Sequence, residues 1–286
     1  MKTFQVDGHA DSMIPAGKEW KLVWNDEFDG TKLDDTKWNF RLNYWGHPSP
    51  TFTTEGVELD NQSHLRLHLI EKDGDYFSPH LQTGSNTFDI PRDSNGFWPF
   101  GKYEPAKFMH RFGFYEIRCR LPKNKGWHAA FWLQAPGIGS HPNPTYGGVE
   151  CDIMENYRQH TDGTIGCGNG WGGYGKNCKW YGHFWFPYEE TPDGWHHYSV
   201  DWRPDGYTFY ADGRKIGGQE APVSEVEQFV LVSTECHGYH RYFGNRGGLE
   251  KLGEGDGKPA PVEELRAAVL PDYFEVDFVR VFDAVE

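Results

Sequence analysis

The sequence predicts an all-β protein, a β-sandwich of the jelly-roll kind, from its residue usage and its hydrophobic alternation. Aromatic residues make up 16% of the 286 residues, with 35 glycines and 18 prolines. Aromatic side chains favour the pleated surfaces of strands, and glycine and proline favour the turns between them. Helical periodicity is confined to one short candidate, residues 262–269. Because no repeat or linker divides the chain, we expect an N-terminal arm over residues 1–18 and one domain over residues 19–286.

Alternation of polar and apolar residues places several strands and predicts their faces. Between Phe114 and Leu121, the odd-numbered residues are predicted to face the core and Glu116 to face solvent. Asp212-Gly213 is a typical hairpin turn. Further strands are predicted over residues 20–24, 64–69, 196–202, 207–211 and 273–281. The long loops at 43–56, 84–107 and 236–260 are predicted to shape a binding site, as loops on a rigid sandwich do.

The charge of the chain excludes some classes of partner. The formal net charge is −14, which argues against nucleic acid and anionic membranes, since both attract basic patches. It also disfavours a highly sulfated polysaccharide. Residues 1–5 lack the apolar segment of a secretion signal. Two compartments stay open: secretion or the periplasm with the signal removed, and the cytoplasm. We expect a monomer.

The cysteines leave the redox state open. There are five, and none has metal-ligand spacing. Cys167 and Cys178 flank a glycine-rich loop, where they would pair in an oxidising compartment and stay reduced elsewhere.

Three acids in residues 149–156 carry the candidate chemistry. Side chains two positions apart share a face of a strand, so Glu150 and Asp152 point the same way. Glu155 lies five positions from Glu150 and would point to the opposite face. A β-bulge at Ile153-Met154 returns it to the face of the other two acids. We therefore predict a bulged strand with three carboxylates in a row.

The spacing of this row suits a glycosidase. A rise of about 3.3 Å per residue puts the two glutamate backbones roughly 13 Å apart in the bulged strand. If each side chain reaches about 4 Å inward, the distance between the two carboxyl groups is near the ~5–5.5 Å of retaining glycosidases. An exposed acidic strand face is the alternative, and the acids alone do not choose between the two.

The pattern E-x-D-x-x-E at residues 150–155 resembles the catalytic signature of glycoside hydrolase family 16 in its bulge-containing, laminarinase- and agarase-like form. Other segments agree with the family in order, namely residues 24–30, 112–122, 126–133, 195–202 and 276–281. The resemblance implies a concanavalin A-like jelly roll of two curved antiparallel sheets, with substrate across the concave one. It also implies Glu150 as nucleophile, Glu155 as general acid/base and Asp152 as the assisting acid.

Further site residues follow from the resemblance and from departures from it. Trp127 and Trp132 match positions that border the sugar subsites, where an indole stacks on a pyranose. Many members carry a histidine on the next strand, which residues 163–168 lack, so we expect either that Asn169 or Trp171 takes its role or that the adjacent subsite differs. Arg92 and Trp98 in the enlarged loop, with Glu235 and His237, are further candidates to reach the cleft, although a loop salt bridge explains Glu235 and His237 equally well. No cofactor is required; a structural Ca²⁺ at Asp277, as in some members, is the metal alternative.

The predicted function is that of a retaining endo-β-glycanase acting on a polysaccharide, with β-1,3- or β-1,3/1,4-glucan preferred. An endo-β-galactanase of the agarase or porphyranase type is the runner-up, because of the missing histidine and the unusual loops. A carbohydrate-binding module without activity needs the aromatics but not the acids. A transglycosylase shares the covalent intermediate but excludes water.

Overall fold

The computed structural model describes residues 1–44, 47–85, 105–156, 163–173, 177–220, 222–236 and 261–285. Two large sheets dominate this part of the chain, which confirms the predicted all-β jelly roll. Strands and helices are numbered here in chain order. Across the described ranges, no helix is long and apolar enough to cross a membrane.

One large sheet has nine strands in the described part of the chain and is antiparallel except where β7 joins β11. Its strands, in spatial order, are β10 (Ile70–Lys72), β11 (Asp75–Gln82), β20 (Phe229–Cys236), β13 (Trp127–Gln134), β14 (Glu150–Asn156), β15 (Thr164–Trp171) and β16 (Lys179–Pro187), with β4 (Asn39–Phe40) and β7 (Phe52–Thr53) beside β11. We refer to it as the nine-stranded sheet.

The second large sheet has eight antiparallel strands among the described residues. They are β19 (Arg214–Gln219), β18 (Gly206–Ala211), β17 (His196–Arg203), β12 (Gly113–Arg120), β21 (Tyr273–Val285), β9 (Leu65–His68) and β8 (Val57–Leu59), with β3 (Glu19–Asp26) beside β21. The remaining elements are the pairs β1 (Lys2–Phe4) with β2 (Ser12–Ile14) and β5 (Asn43–Tyr44) with β6 (His47–Pro48), and the helices α1 (Pro144–Gly147) and α2 (Glu263–Arg266).

The main hydrophobic core lies between the two large sheets. Tyr115 and Ile117 of β12 pack in the same cluster as Phe131 of β13 and Ile153 of β14. Because successive side chains of a strand alternate in direction, each sheet has a core face and an outer face turned away from the other sheet. Residues of β13 with odd numbers therefore face the core, and those with even numbers lie on the outer face.

The predicted strand positions and the hairpin turn are confirmed. Asp212 and Gly213 both have positive φ, at 47° and 74°, as the turn between β18 and β19 requires. The predicted helical segment contains the single-turn helix α2, whose Leu265 is fully buried. Burial of Leu265 explains why this short segment is ordered although one turn has little helical stability of its own.

The N-terminal arm forms a two-stranded sheet of its own. Strands β1 and β2 form an antiparallel hairpin against the outer face of the eight-stranded sheet, where Ile14 packs with Trp20 and Phe114. The Met13 amide donates a 2.8 Å hydrogen bond to Glu116 Oε1. Glu116 is consequently buried, and the prediction that it faces solvent is wrong. Periodicity gave no signal here because each strand has only three residues.

Cys167, one half of the disulfide alternative, is a reduced thiol buried in the main core. Its burial raises the pKa of the thiol, and the nearby carboxylates of Asp152 and Glu155 raise it further. Cys167 is therefore a core residue in its protonated form.

Candidate active site

The three acids of β14 lie on the outer face of the nine-stranded sheet. Cys151, Ile153 and Met154 all pack in the main core, which leaves the acids on the opposite face. The pairing with β13 skips one residue, since Phe131 pairs with Met154 and Trp132 with Asp152. The predicted bulge at Ile153-Met154 is thus present, and it returns Glu155 to the face of Glu150 and Asp152.

Asp152, the middle acid, is almost completely buried. Burial raises its pKa well above the ordinary value, and the carboxylates of Glu155 and then Glu150 raise it further. Among the described residues no hydrogen-bond donor reaches its Oδ2. This environment favours the protonated form of Asp152 more than water does, and in that form Asp152 can donate a hydrogen bond to either neighbouring glutamate.

The two glutamates contact polar residues of β13. The side-chain amide of Gln134 donates to Glu150 Oε2 at 3.2 Å. His128 Nε2 lies 3.6 Å from Glu155 Oε1. Glu155 is 7% exposed, so its interaction with His128 is only weakly screened by water. Neither His128 nor Gln134 was among the predicted site residues. His128 and Gln134 have even numbers, like Trp132, so the alternation of side chains along β13 places all three beside the acids.

The raised pKa of Asp152 predicts a pH-dependent effect of Asp152→Asn on stability. In the unfolded chain Asp152 ionises at its ordinary pKa, whereas in the folded protein it ionises only at higher pH. The folded state is therefore destabilised relative to the unfolded state as pH rises between these two pKa values. Asparagine does not ionise. We expect equal unfolding temperatures for variant and wild type near pH 4, and an unfolding temperature of the variant that exceeds that of wild type by a growing margin as pH rises to 8.

Thermal unfolding measured across this pH range tests the expectation. A difference between Asp152→Asn and wild type that stays constant with pH would show that Asp152 keeps an ordinary pKa. Asp205→Asn, at an exposed turn where the carboxylate accepts from Arg203 Nε at 2.9 Å, is the matched control and should change the unfolding temperature much less.

Strand β15 presents glycines to the acids. Gly170 pairs with Glu150, Gly168 with Asp152 and Gly166 with Glu155. Directly opposed residues of antiparallel strands share a face. The outer face of β15 therefore carries backbone only beside the three acids, on the strand where a histidine was expected.

The structure corrects the predictions for Asn169 and Trp171, which lie on the core face of β15. Asn169 pairs with the buried Cys151, is fully buried, and donates a 2.8 Å hydrogen bond to Gln219 of the eight-stranded sheet. Trp171 packs in the main core. Neither residue replaces the histidine, because the register of β15 turns both away from the acids.

Trp132 and Glu235 lie on the face of the acids. Trp132 pairs with Asp152, is 8% exposed, and donates from its indole nitrogen to Ser233 Oγ at 2.9 Å. Glu235 of β20 pairs with His128, and its Oε1 lies 3.8 Å from His80 Nδ1. This places both side chains within the candidate site. Contact of either with a sugar stays a prediction.

Buried Arg41 and His80 extend the site beyond Trp132. The Arg41 guanidinium lies 5.6 Å from the Trp132 ring centre, and the His80 ring lies 5.8 Å from it. Burial lowers the pKa of His80, and the charges of Arg41 and His128 lower it further. His80 is therefore neutral at physiological pH and able both to donate and to accept a hydrogen bond.

Comparison with known proteins identifies the family. Residues 47–229 match the family model described as Glycosyl hydrolases family 16. The chain belongs to this family. The predicted resemblance is thereby confirmed, and the acids of β14 lie within the matched residues.

Two related proteins each share less than 30% sequence identity with this chain. A Glucan endo-1,3-beta-glucosidase A1 from Niallia circulans is 27% identical over 290 residues, which cover 94% of this chain and 38% of the relative. The chain thus spans well under half of that relative's length. A Beta-porphyranase B from Zobellia galactanivorans is 28% identical over 51% of this chain and 45% of the relative.

Solved structures show the same fold. The catalytic domain of an endo-1,3-beta-glucanase (laminarinase) from Thermotoga petrophila RKU-1 superposes with a TM-score of 0.65 at 22% identity, covering 94% of this chain and 100% of that domain. At this identity the likeness supports the jelly-roll fold of family 16 and does not extend to the substrate.

The structure also corrects the prediction for Trp127, which the family resemblance placed at a sugar subsite. Trp127 is fully buried on the core face of β13, in a cluster with Leu69, Tyr76 and Leu265. Its indole nitrogen donates to Asp272 Oδ2 at 3.3 Å. With both the ring and its donor occupied inside the protein, Trp127 supports the end of the strand and has no surface for a sugar.

The residues around Asp277 do not fit the calcium site found in some family members. Its Oδ2 accepts a 2.6 Å hydrogen bond from Arg118 Nη1, and the carboxylate is 6% exposed. A calcium ion needs several oxygen ligands. Here the carboxylate is instead paired with the positively charged guanidinium of Arg118. Asp277 thus has a structural ion pair.

Three predicted substrate-binding residues, Arg92, Trp98 and His237, lie outside the described residues. The loops that hold these residues are one of the two reasons for the β-galactan alternative. Their contribution to the site stays a prediction.

Proposed function

We propose that this chain is an endo-acting glycoside hydrolase that cleaves β-1,3-glucan with retention of anomeric configuration. The observation that carries the proposal is the row of Glu150, Asp152 and Glu155 on one face of β14, which exists because of the bulge. Two carboxylates with a buried third between them are the groups needed for a two-step displacement.

In the first step, Glu150 attacks the anomeric carbon while Glu155 protonates the departing glycosidic oxygen. In the second step, Glu155 removes a proton from water, which attacks the glycosyl-enzyme and releases Glu150. Asp152 is the assisting acid. Its raised pKa keeps a proton between the glutamates, so it can stabilise whichever of them carries the charge.

The glucan assignment is supported by two observations. The Niallia circulans relative is named a glucan endo-1,3-beta-glucosidase, and the chain is strongly acidic, which suits a neutral polymer better than a sulfated one. A β-galactan is the second candidate. It is favoured by the glycine-lined face of β15 beside the acids and by the similarity to a β-porphyranase.

Product analysis tests the proposal. We expect reducing ends and a ladder of oligosaccharides from laminarin, less from lichenan, and none from agarose, porphyran or carrageenan. Early products followed by proton NMR should carry the β configuration at the new reducing end. An α configuration would refute retention, and activity confined to porphyran or agarose would refute the glucan assignment. Transfer to an added oligosaccharide in preference to water would indicate a transglycosylase.

A further inference from the structure

Two tryptophans of β16 lie across β15 from the catalytic glutamates. Trp185 pairs with Gly166, which pairs with Glu155 on its other side. Trp180 pairs with Gly170, which pairs with Glu150. Because opposed residues in these antiparallel pairs share a face, both indoles are on the outer face with the acids. Phe184 and Phe186, at the alternate positions, pack against the main core.

The glycines leave space that the indoles occupy. A Cβ added to Gly166 would lie 2.9 Å from Cζ3 of Trp185, and one added to Gly170 would lie 2.8 Å from Cζ3 of Trp180. Real Cβ atoms do not approach ring carbons so closely, so any other residue at these positions would displace the six-membered ring of the indole. Gly166 and Gly170 thus let each indole lie directly on the backbone of β15, beside one glutamate.

Exposure distinguishes Trp185 from a core tryptophan. It is 46% exposed, and Trp180 is half-buried, whereas Phe184 and Phe186 contribute to the core. An apolar ring exposed beside a catalytic row is a surface suited to a ligand with an apolar face. A pyranose ring has such a face, and indoles stack on it.

We propose that Trp185 and Trp180 are the stacking surfaces of two sugar subsites, one at each end of the catalytic row. This inference rests on the proposed function and adds its binding groups on β16. The two tryptophans are five positions apart, about 13 Å along a strand with one irregularity, so they contact different sugar residues of one chain. The outer face of β15 has only glycines beside the acids, which lets both indole rings lie next to the glutamates.

Binding measurements in a Glu150→Gln background test this proposal without turnover. We expect Trp185→Ala and Trp180→Ala each to weaken laminarin affinity about tenfold by calorimetry, which is the loss of one stacked sugar. Trp185→Leu keeps an apolar side chain over Gly166 but has no flat ring, so it should weaken binding similarly while preserving the fold.

The matched control is Tyr181→Ala. Tyr181 lies on the same strand and is 49% exposed, but it pairs with Asn169, whose side chain faces the core, so it is on the other face from the two tryptophans. Its removal should leave affinity unchanged. Parental affinity in folded Trp185→Leu and Trp180→Ala, or an equal loss in Tyr181→Ala, would overturn the proposal. Failure of the Glu150→Gln parent to bind, together with no hydrolysis by wild type, would instead refute the proposed function.

Discussion

Glu150→Gln should abolish hydrolysis of laminarin while leaving its binding within a few-fold of wild type. Glutamine has nearly the shape of glutamate but cannot form the covalent intermediate, so we expect kcat to fall by at least about 10⁴-fold. Gln134, which donates to Glu150 at 3.2 Å, can still donate to the amide oxygen of the variant. Initial rates of reducing-sugar release and calorimetric titration with laminarin measure the two effects separately.

The control for this variant is Glu58→Gln, which removes one carboxylate from β8, in the other sheet. Glu58 is half exposed and accepts from His68, so its loss should leave kcat unchanged. Near-native hydrolysis by Glu150→Gln would show that another group is the nucleophile. Loss of both binding and folding would leave kcat uninformative, and thermal unfolding excludes that case before the rates are compared.

The row of acids could be predicted from sequence because the alternation of side chains along a strand fixes which residues share a face. Glu150 and Glu155 are five positions apart, so they share a face only if one extra residue is inserted between them. The structure inserts it where Ile153 and Met154 both pack in the core. Two adjacent apolar residues between acids were the signal, and burial of both is the physical reason for the bulge.

The same parity argument would have corrected Trp127. Trp127 and Trp132 are also five apart, and the register of β13 with β20 is continuous from Trp127 to Gln134. Only one of the two tryptophans can therefore face the acids. His128 and Gln134 share the parity of Trp132 and were accessible to the same reasoning.

The place of β15 beside the acids could not be predicted in this way. Ile165, Cys167 and Trp171 alternate with the glycines of residues 164–171, so parity alone puts the glycines on the face opposite the core. That this face lies next to the acids is decided by pairing with the bulged strand β14, a contact between two segments that residues 164–171 alone do not reveal. Asn169 and Trp171 were assigned to the site for lack of any other side chain. The tryptophans that do lie there come from the next strand.

Glu155→Ala should lower laminarin hydrolysis by about 10³–10⁴-fold and should be rescued by azide on an activated substrate. A dinitrophenyl β-glycoside of a glucan disaccharide needs no acid to leave, so the glycosyl-enzyme still forms on Glu150. It then accumulates, because no base remains to activate water. Azide attacks without giving up a proton, and we expect the turnover rate to rise with azide concentration. The measurement is release of dinitrophenolate together with the structure of the sugar product.

The configuration of the glycosyl azide separates the roles of the two glutamates. In Glu155→Ala, azide attacks an α-linked glycosyl-enzyme, so the product should be the β-azide. In Glu150→Ala, azide would take the place of the missing nucleophile and attack the β-glycoside directly, giving the α-azide. The two variants are therefore controls for one another. An α-azide from Glu155→Ala would mean that the roles are exchanged, and no azide product from either would count against a displacement by this pair.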